Sequence, residues 1–387
     1  MKRIPDKFLC ILTLTSLLTG CWDFQDINRR SVTISVGVDS VNNNAIEYSG
    51  ENARMIPSQS TGNNSQSPQS SLGISTFSDV SGKTFEDARE NYTLQTPFPD
   101  FLGAVRVLVF GKNFAQQGIE AYVNRINRIF GYRKSLPLVV SEQHPTEFLG
   151  TNVKNNISAG FSIESTLDHL HSEGTAVYPK IADIVSDMAF GNIGFVLPYV
   201  GKRNDSIVLL GYAVFKEEKM IDILDIQESK GLVYILGVNP LRVEAIHQPS
   251  KENNMLSTRT LLKKRKIITS YKNGKVNIEF KAKAEIQIQF LYNVEPLTDD
   301  DKKTLEDIIT QRIKREIASF VIKSQKEYKS DIFGFAKYFR ADNPNIYKKI
   351  NWKDTYPDAN FSVDIKSKVV NINLFDPNAK DFFKEQK

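Results

Sequence analysis

Cysteine is scarce in this chain of 387 residues, which contains only Cys10 and Cys21. We expect the first to be removed with a leader segment and the second to be lipidated. The mature chain would then have no disulfide, no Cys-based zinc site and no redox-active thiol. Long apolar runs are also missing, because no stretch beyond Cys21 approaches the roughly 20 apolar residues that a transmembrane helix needs.

Recognisable catalytic motifs are absent as well. Two of the four histidines, His169 and His171, are two residues apart in a predicted helix, so their rings do not share a face. Gly160-Phe161-Ser162 lacks the second glycine of a nucleophile elbow. Neither the phosphate-binding nor the dinucleotide-binding glycine motif occurs. We therefore expect no catalytic residue, no metal site and no cofactor.

The charge is nearly balanced, with a formal net charge of +5. This excess is too small for nucleic-acid binding, which requires a concentrated basic face. Hydrophobic residues make up 41% of the chain and charged residues 25%, which is typical of globular domains, and the length predicts two or three of them. The basic run Lys263–Lys266 is interpreted as a solvated strand edge, with lipid headgroups or an acidic partner as the alternative contact.

The N-terminus has the pattern of a lipoprotein signal peptide. Three basic residues precede an apolar core of 11 residues at 8–18, which is too short to span a bilayer. The core ends in Leu18-Thr19-Gly20-Cys21. We expect cleavage between Gly20 and Cys21 and a diacylglyceryl group on the Cys21 thiol, which would hold the chain on the outer face of a membrane. An ordinary secretory signal with a chance cysteine is the alternative.

The segment that follows Cys21 is unusual for a tether. Trp22, Phe24 and Ile27 lie among charged residues, whereas a flexible linker would have little apolar content. We interpret these three side chains as contacts that dock on the protein's own domain or on a partner at the membrane surface.

Periodicity predicts both strands and helices in the first half of the chain. Residues 31–38 alternate at period 2 as a first strand, and residues 105–110 form a β-branched run typical of a central strand. The polar stretch 57–73 is expected to be a loop. A domain boundary is expected at 200–206. Helices are expected at 84–94, 119–130, 163–170 and 180–188.

The second half has a clearer pattern. Residues 276–290 alternate apolar and polar side chains, which indicates a long strand with one buried face. Asn273-Gly274 predicts a hairpin turn to a neighbouring strand at 259–270. A final strand is expected at 361–374.

A long helix is predicted from Asp299 to Glu327, between the strand at 276–290 and the final strand at 361–374. Thr298 and Asp301 predict its capping box, and an apolar stripe at helical spacing predicts its buried face: Leu305, Ile308, Ile309, Ile313, Ile317 and Val321. Trp352 and Tyr356, beyond the helix, are expected to pack a core rather than bind a ligand. The expected fold is multi-domain α+β, with antiparallel or mixed sheets and packed helices. Its C-terminal domain would have a curved antiparallel sheet and one long helix.

Several short motifs, taken in order along the chain, resemble the Ger(x)C spore germination lipoproteins. They are Gly20-Cys21-Trp22-Asp23, Asp26-Ile27-Asn28, Val36-Gly37-Val38-Asp39, the run at 105–111, the segment 210–216, Asp331-Ile332-Phe333-Gly334-Phe335, Asn343-Pro344, Trp352 and Tyr356-Pro357-Asp358. Asp26 stands where the family often has Glu, and Tyr356 where Phe is usual.

The resemblance implies a particular place and particular partners. Family members are the lipoprotein C subunits of GerA-type nutrient receptors in the inner membrane of bacterial spores, and they are not known as enzymes. They work with a membrane-embedded A subunit and a transporter-like B subunit. The resemblance also implies a division into a signal peptide at 1–20, an N-terminal part at 21–205 and a C-terminal domain at 206–380.

Two other functions are weighed against a receptor subunit. A solute-binding lipoprotein that delivers a ligand to a transporter would have two similar α/β lobes around a cleft, which the long alternating strands do not favour. A cell-envelope hydrolase would need a convergent acid, base or nucleophile, which the sequence does not supply.

Overall fold

The computed structural model describes residues 29–41, 45–57, 70–129, 131–154, 156–293 and 297–372. The predicted cleavage and lipidation residues, Gly20 and Cys21, lie outside these ranges, as do the predicted docking residues Trp22, Phe24 and Ile27. Most of the predicted loop at 57–73 lies outside them too. Within the ranges that are described, no helix combines the length and the apolar character needed to cross a membrane.

The described residues form two β-sheets with helices packed against them. The strands are β1 (Ser31–Val41), β2 (Ala45–Pro57), β3 (Ser70–Gly82), β4 (Asp100–Phe101), β5 (Val107–Phe110), β6 (Leu138–Ser141), β7 (Gly194–Arg203), β8 (Ser206–Lys216), β9 (Lys219–Asp225), β10 (Leu241–Gln248), β11 (Lys251–Lys272), β12 (Lys275–Leu291) and β13 (Asn360–Ile372). The helices are α1 (Phe85–Gln95), α2 (Lys112–Gln117), α3 (Glu120–Arg128), α4 (Pro145–Leu149), α5 (Ala159–Ser172), α6 (Ile181–Phe190), α7 (Lys230–Leu236), α8 (Asp299–Lys323), α9 (Phe335–Asp342), α10 (Pro344–Tyr347) and α11 (Trp352–Thr355).

The first sheet contains nine strands of the described chain, in the order β3-β2-β1-β5-β6-β7-β8-β9, with β4 paired to β1. The central strands β1, β5, β6 and β7 are parallel, and the outer strands pair antiparallel. The predicted central strand is confirmed as β5, whose residues are all buried. Val107 and Val109 pack on one face and Leu108 and Phe110 on the other, because successive side chains alternate.

The expected domain boundary falls in the turn between β7 and β8. Asn204 and Asp205 occupy this turn with positive φ. The two strands pair antiparallel across it, and β8 and β9 complete the first sheet. The division into 21–205 and 206–380 stays a prediction, and the first sheet takes its last two strands from the second of these segments.

The second sheet has four strands in the described chain, in the order β10-β11-β12-β13. The predicted alternation is confirmed in β12, where buried and less buried residues alternate over most of its length. Asn273 and Gly274 form the predicted hairpin turn, and both have the positive φ that a type I′ turn requires. Strand β13 pairs parallel to β12, so this sheet is mixed rather than wholly antiparallel. Because β13 runs in the same direction as β12, the connection through α8 must carry the chain back to the end of the sheet where β12 begins.

The predicted long helix is confirmed as α8, and a π-helical turn continues it to Tyr328. Thr298 and Asp301 form the predicted capping box, with each side chain accepting a hydrogen bond from the other residue's backbone N–H. The buried face matches the predicted stripe except at Ile308, which is 37% exposed, while Phe320 is buried instead. This face shares one hydrophobic core with β12 and with one side of the first sheet.

Candidate functional site

Two of the motifs behind the family resemblance meet at Asp39. Its buried carboxylate accepts hydrogen bonds from the backbone N–H groups of Ser40 (2.8 Å) and Phe114 (3.0 Å), the latter in α2. The N–H of Gly111 donates to the carbonyl of Val38 at 2.8 Å. A Cβ atom at residue 111 would lie 2.0 Å from the Asp39 carboxyl carbon, so this contact requires glycine. The two motifs therefore fix α2 against the parallel strands β1 and β5.

The C-terminal motif residues converge on Asp331. Its buried carboxylate accepts hydrogen bonds from the backbone N–H groups of Phe335 (3.0 Å) and Ala336 (2.7 Å) and from the Trp352 indole Nε1 (3.0 Å). Burial raises the pKa of Asp331 to about 6, although the hydrogen bonds act in the opposite direction. The carboxylate thus organises the start of α9 and holds the indole in place.

The predicted core role of Trp352 and Tyr356 is confirmed. Both side chains are buried, and their ring centres are 6.0 Å apart. Trp352 also packs on Phe339 at 5.4 Å. The Tyr356 hydroxyl and the Ser324 hydroxyl share a hydrogen bond of 2.6 Å. These contacts leave no room for a ligand between the rings.

This cluster, which we call the Asp331 junction (Asp331, Phe335, Ala336, Trp352 and Tyr356), joins the end of α8 to the first sheet. The backbone N–H of Gly194 in β7 donates to the carbonyl of Asp331 at 3.0 Å. The hydroxyl of Tyr328, which ends the long helix, donates to the Asp222 carboxylate of β9 at 2.7 Å. The junction and the neighbouring Tyr328 therefore link the end of α8 to β7 and β9 of the first sheet.

Sequence reasoning missed Glu51, a buried acidic residue in β2. Its carboxylate accepts hydrogen bonds from the backbone N–H groups of Ala159 and Gly160, both at 2.8 Å, and from the Ser35 hydroxyl at 2.7 Å. Burial raises the pKa of this carboxyl group, and the hydrogen bonds counteract the rise. No sequence signal marks this role, because the first turn of α5 lies more than 100 residues away along the chain.

Three of the four histidines have a polar side-chain contact in the structure. His171 Nδ1 lies 3.4 Å from the Ala176 carbonyl, and His247 Nδ1 lies 2.7 Å from the Glu252 carbonyl. His144 Nε2 lies 3.4 Å from the Asp39 carboxylate. In the part of the chain that the structure describes, no three His, Cys, Asp or Glu side chains are grouped so that they could hold a metal ion.

A polar groove of about 630 Å³, which we call the α7–α8 groove, lies where the end of β9, the connection to α7 and its first residue face α8. Charged side chains of both signs line it: Glu228, Lys230, Arg312, Arg315, Glu316, Lys323 and Glu327. Arg242 binds Glu316 at 2.6 Å, and burial lowers the pKa of Lys230. The two helices are so close that a Cβ at Gly231 would lie 2.2 Å from the Glu316 carbonyl oxygen. Such a mixed lining suits a charged protein segment better than an apolar ligand.

The basic run Lys263–Lys266 lies in β11, just beyond the end of its pairing with β10, and a β-bulge interrupts its pairing with β12. The predicted strand edge is therefore confirmed. Arg265 donates to the carbonyls of Tyr234 (3.1 Å) and Ile235 (2.9 Å) in α7, and Lys263 pairs with Glu285 at 2.6 Å. Two of the four cations thus support the fold.

Known proteins match this chain over nearly its full length. A family model for the spore germination protein N-terminal domain matches residues 23–202, and one for the spore germination B3/GerAC-like C-terminal region matches residues 210–373. Spore germination protein A3 of Bacillus subtilis (strain 168) is 24% identical over 94% of this chain and 96% of its own length. Spore germination protein B3 of the same organism is 21% identical, over 96% of this chain and 98% of its own length.

A solved structure supports the same fold. The crystal structure of the GerBC protein matches with a TM-score of 0.55 at 16% identity, covering 89% of this chain and 100% of that chain. The two-sheet fold and its buried motif clusters, together with both family models, define a spore germination protein. More narrowly, the chain belongs to the Ger(x)C family, as the sequence motifs predict.

Proposed function

We propose that this chain is a lipid-anchored, non-catalytic subunit of a spore nutrient germinant receptor. It acts by protein–protein contact at the outer face of the spore inner membrane, together with a polytopic A-type subunit and a transporter-like B-type subunit. The observation that carries this proposal is the match of two germination family models to residues 23–202 and 210–373. These two ranges take up nearly all of the chain beyond the proposed signal peptide at 1–20, and they fit a division into segments 21–205 and 206–380.

The proposed anchor is a diacylglyceryl group on Cys21, after cleavage at Gly20. Two acyl chains hold a protein stably on a membrane, because each buried CH₂ contributes about 0.8 kcal/mol. Since the sequence contains only two cysteines, Cys10→Ser and Cys21→Ser form a matched pair of variants. Labelled palmitate should enter the wild type and C10S but not C21S. Equal labelling of C21S would refute the anchor.

The partners are tested by purifying the tagged chain from detergent-solubilised spore membranes and identifying the proteins that accompany it. We expect one polytopic and one transporter-like subunit, whereas recovery of the chain alone would contradict the proposal. Combined Ser substitutions at the proposed docking residues Trp22, Phe24 and Ile27 should reduce this recovery several-fold. Asp26→Ser, in the same segment, is the control that leaves the apolar side chains intact.

The solute-binding alternative is less well supported. It predicts two similar lobes around a cleft, but the two sheets differ in strand number and order. A thermal-shift screen in which one small solute clearly stabilises the chain would favour it. Enzymatic turnover that a single substitution abolishes would instead favour a cell-envelope hydrolase.

A further inference from the structure

Three exposed apolar side chains lie close together in the sequence, at the end of α1 and just beyond it. Leu94, near the end of this helix, is 79% exposed, and Phe98 and Phe101 are 43% and 38% exposed. The helix buries Ala88 and Tyr92 instead, so Leu94 does not belong to its packed face. We call Leu94, Phe98 and Phe101 the 94–101 patch.

The patch lies where the described chain begins. Strand β4 pairs parallel with the start of β1, with Asp100 opposite Ser31 and Phe101 opposite Val32. The Ser31 N–H donates to the carbonyl of Pro99 at 2.9 Å. Because the two strands run in the same direction, the chain before Asp100 and the chain before Ser31 approach from the same end of the sheet.

The proposed anchor lies a few residues before this end of the sheet in the sequence. Cys21 precedes Ser31 by ten residues, and ten fully extended residues span at most about 35 Å. A lipid on Cys21 would therefore tether Ser31, and with it the paired residue Asp100, within about 35 Å of the bilayer.

The chemistry of the patch suits a lipid surface. Residues 93–99 carry no charged side chain, and the patch presents one aliphatic and two aromatic side chains. Asp100, between the two aromatic residues, is partly buried. Aromatic rings are favoured at the boundary between headgroups and acyl chains. Arg29 and Arg30, directly before β1, add cations that anionic headgroups attract. A partner protein would also tolerate an apolar patch, but the attachment of the chain at this end favours the membrane.

We propose that the 94–101 patch inserts into the interfacial layer of the lipid membrane and orients the protein on it. This inference rests on the proposed lipid anchor, which brings the patch to the bilayer. The lipid on Cys21 and the inserted patch would then form two contacts with the membrane, and the end of the first sheet at β4 would face the bilayer.

The test uses the full chain, in which Cys21 is acylated. Because the mature chain has no other cysteine, Phe98→Cys introduces a unique site for a polarity-sensitive fluorophore. The matched control is Phe290→Cys, since Phe290 is 57% exposed but lies in β12 of the second sheet. On vesicles of phosphatidylcholine and phosphatidylglycerol, lipids with a spin label in the acyl chain should quench the probe at 98 several-fold more than the probe at 290.

A second labelled variant keeps the test independent of the substitution at Phe98 itself. A probe at Gln95→Cys, between Leu94 and Phe98, should also be quenched by the spin-labelled lipid. Serine at all three patch residues should abolish this quenching. Unchanged quenching in that variant would overturn the proposal.

The remaining outcomes distinguish failure of membrane insertion by the patch from failure of lipid attachment at Cys21. A probe at 98 that aqueous iodide quenches and spin-labelled lipid does not would overturn membrane insertion. Protection from both quenchers would also overturn it, because protein, such as residues 22–28, would then cover the patch. Mass spectrometry of the same sample reports acylation of Cys21. If the acyl group is absent, the chain with Cys21→Ala is held on nickel-chelating lipids by an N-terminal histidine tag, and lipid quenching at 98 decides the proposal alone.

Discussion

Replacement of Asp331 by asparagine removes a buried charge and one hydrogen-bond acceptor, and the pH dependence of stability distinguishes the two effects. The carboxylate accepts three bonds, from the N–H groups of Phe335 and Ala336 and from the Trp352 indole. Asparagine has nearly the same shape but only one acceptor oxygen. With that oxygen toward Ala336 and Trp352, the Phe335 N–H would lose its partner, which costs about 1–3 kcal/mol.

The effect of the charge on the free energy of unfolding depends on the pKa of Asp331. Burial raises this pKa from 3.8 to about 6, so the folded protein binds the proton more tightly than the unfolded chain. The contribution to the free energy of unfolding is therefore largest below pH 3.8 and declines as the pH rises toward 6. A shift of roughly two pH units corresponds to a loss of about 3 kcal/mol over this window.

The two effects give Asp331→Asn a pH-dependent outcome. Near pH 4, where Asp331 is protonated, the wild type should still be the more stable by about 1–3 kcal/mol, because its hydroxyl oxygen can accept from the Phe335 N–H and the NH2 group of asparagine cannot. At pH 7 the variant is spared the buried charge, so the difference should disappear or change sign. Asp331→Ala, which loses all three bonds, should be less stable than Asp331→Asn at every pH.

Urea unfolding of the purified protein at pH 4, 5, 6 and 7, followed by tryptophan fluorescence and circular dichroism, measures these free energies. The informative quantity is the difference between wild type and Asp331→Asn as a function of pH. If that difference is constant from pH 4 to 7, Asp331 has no raised pKa in the folded protein and the reasoning is refuted.

Three further changes test other buried contacts. Glu51→Gln should lower the free energy of unfolding by about 1–3 kcal/mol in urea melts, because one oxygen cannot replace both acceptor atoms. Gly111→Ala should lower it by about 2 kcal/mol or more through its clash with Asp39, and a double-mutant cycle with Asp39→Ala should show that this loss shrinks when the carboxylate is gone. Burial tends to raise the pKa of Asp301, but hydrogen bonds from Ser250 and Gln248 outweigh it and lower that pKa to about 2. The folded protein should therefore lose stability as the pH falls from 4 toward 2, and acid titration of Asp301→Asn, monitored by circular dichroism, should show a flatter decline.

Local patterns predicted the second half of the chain well. Strand β12 alternates over most of its length, and Asn273-Gly274 fixes its turn, so the inward side chains from Val276 to Ile288 are buried, whereas Phe290 is 57% exposed. Helix α8 has both a capping box and a continuous apolar stripe. These signals depend only on neighbours within a few residues, which is why they could be interpreted without the fold.

Non-local contacts account for what the sequence did not reveal. The parallel pairing of β13 depends on the path of α8, and Glu51 meets α5 only in the folded chain. Ile308 and Ile309 fit the helical stripe about equally well, and only packing decides that Ile309 is the buried one. The polar segment Gly201–Asp205 has the composition of a linker, yet it includes the turn of an antiparallel hairpin.

Many of the motif residues behind the family resemblance are buried, so they are informative about the fold of this chain rather than about the molecules that it binds. Asp39, Asp331, Trp352 and Tyr356 are buried, and Gly111 is constrained by contact with Asp39. Buried residues cannot touch a partner in the folded protein, so their presence specifies the two-sheet body rather than its recognition of other molecules. The partners proposed for this chain would therefore be recognised by exposed faces, such as the α7–α8 groove, and these faces can differ between family members that share every buried motif. Substitutions in the groove should change which proteins bind while leaving stability nearly intact, whereas substitutions in the Asp331 junction should affect all interactions together through unfolding.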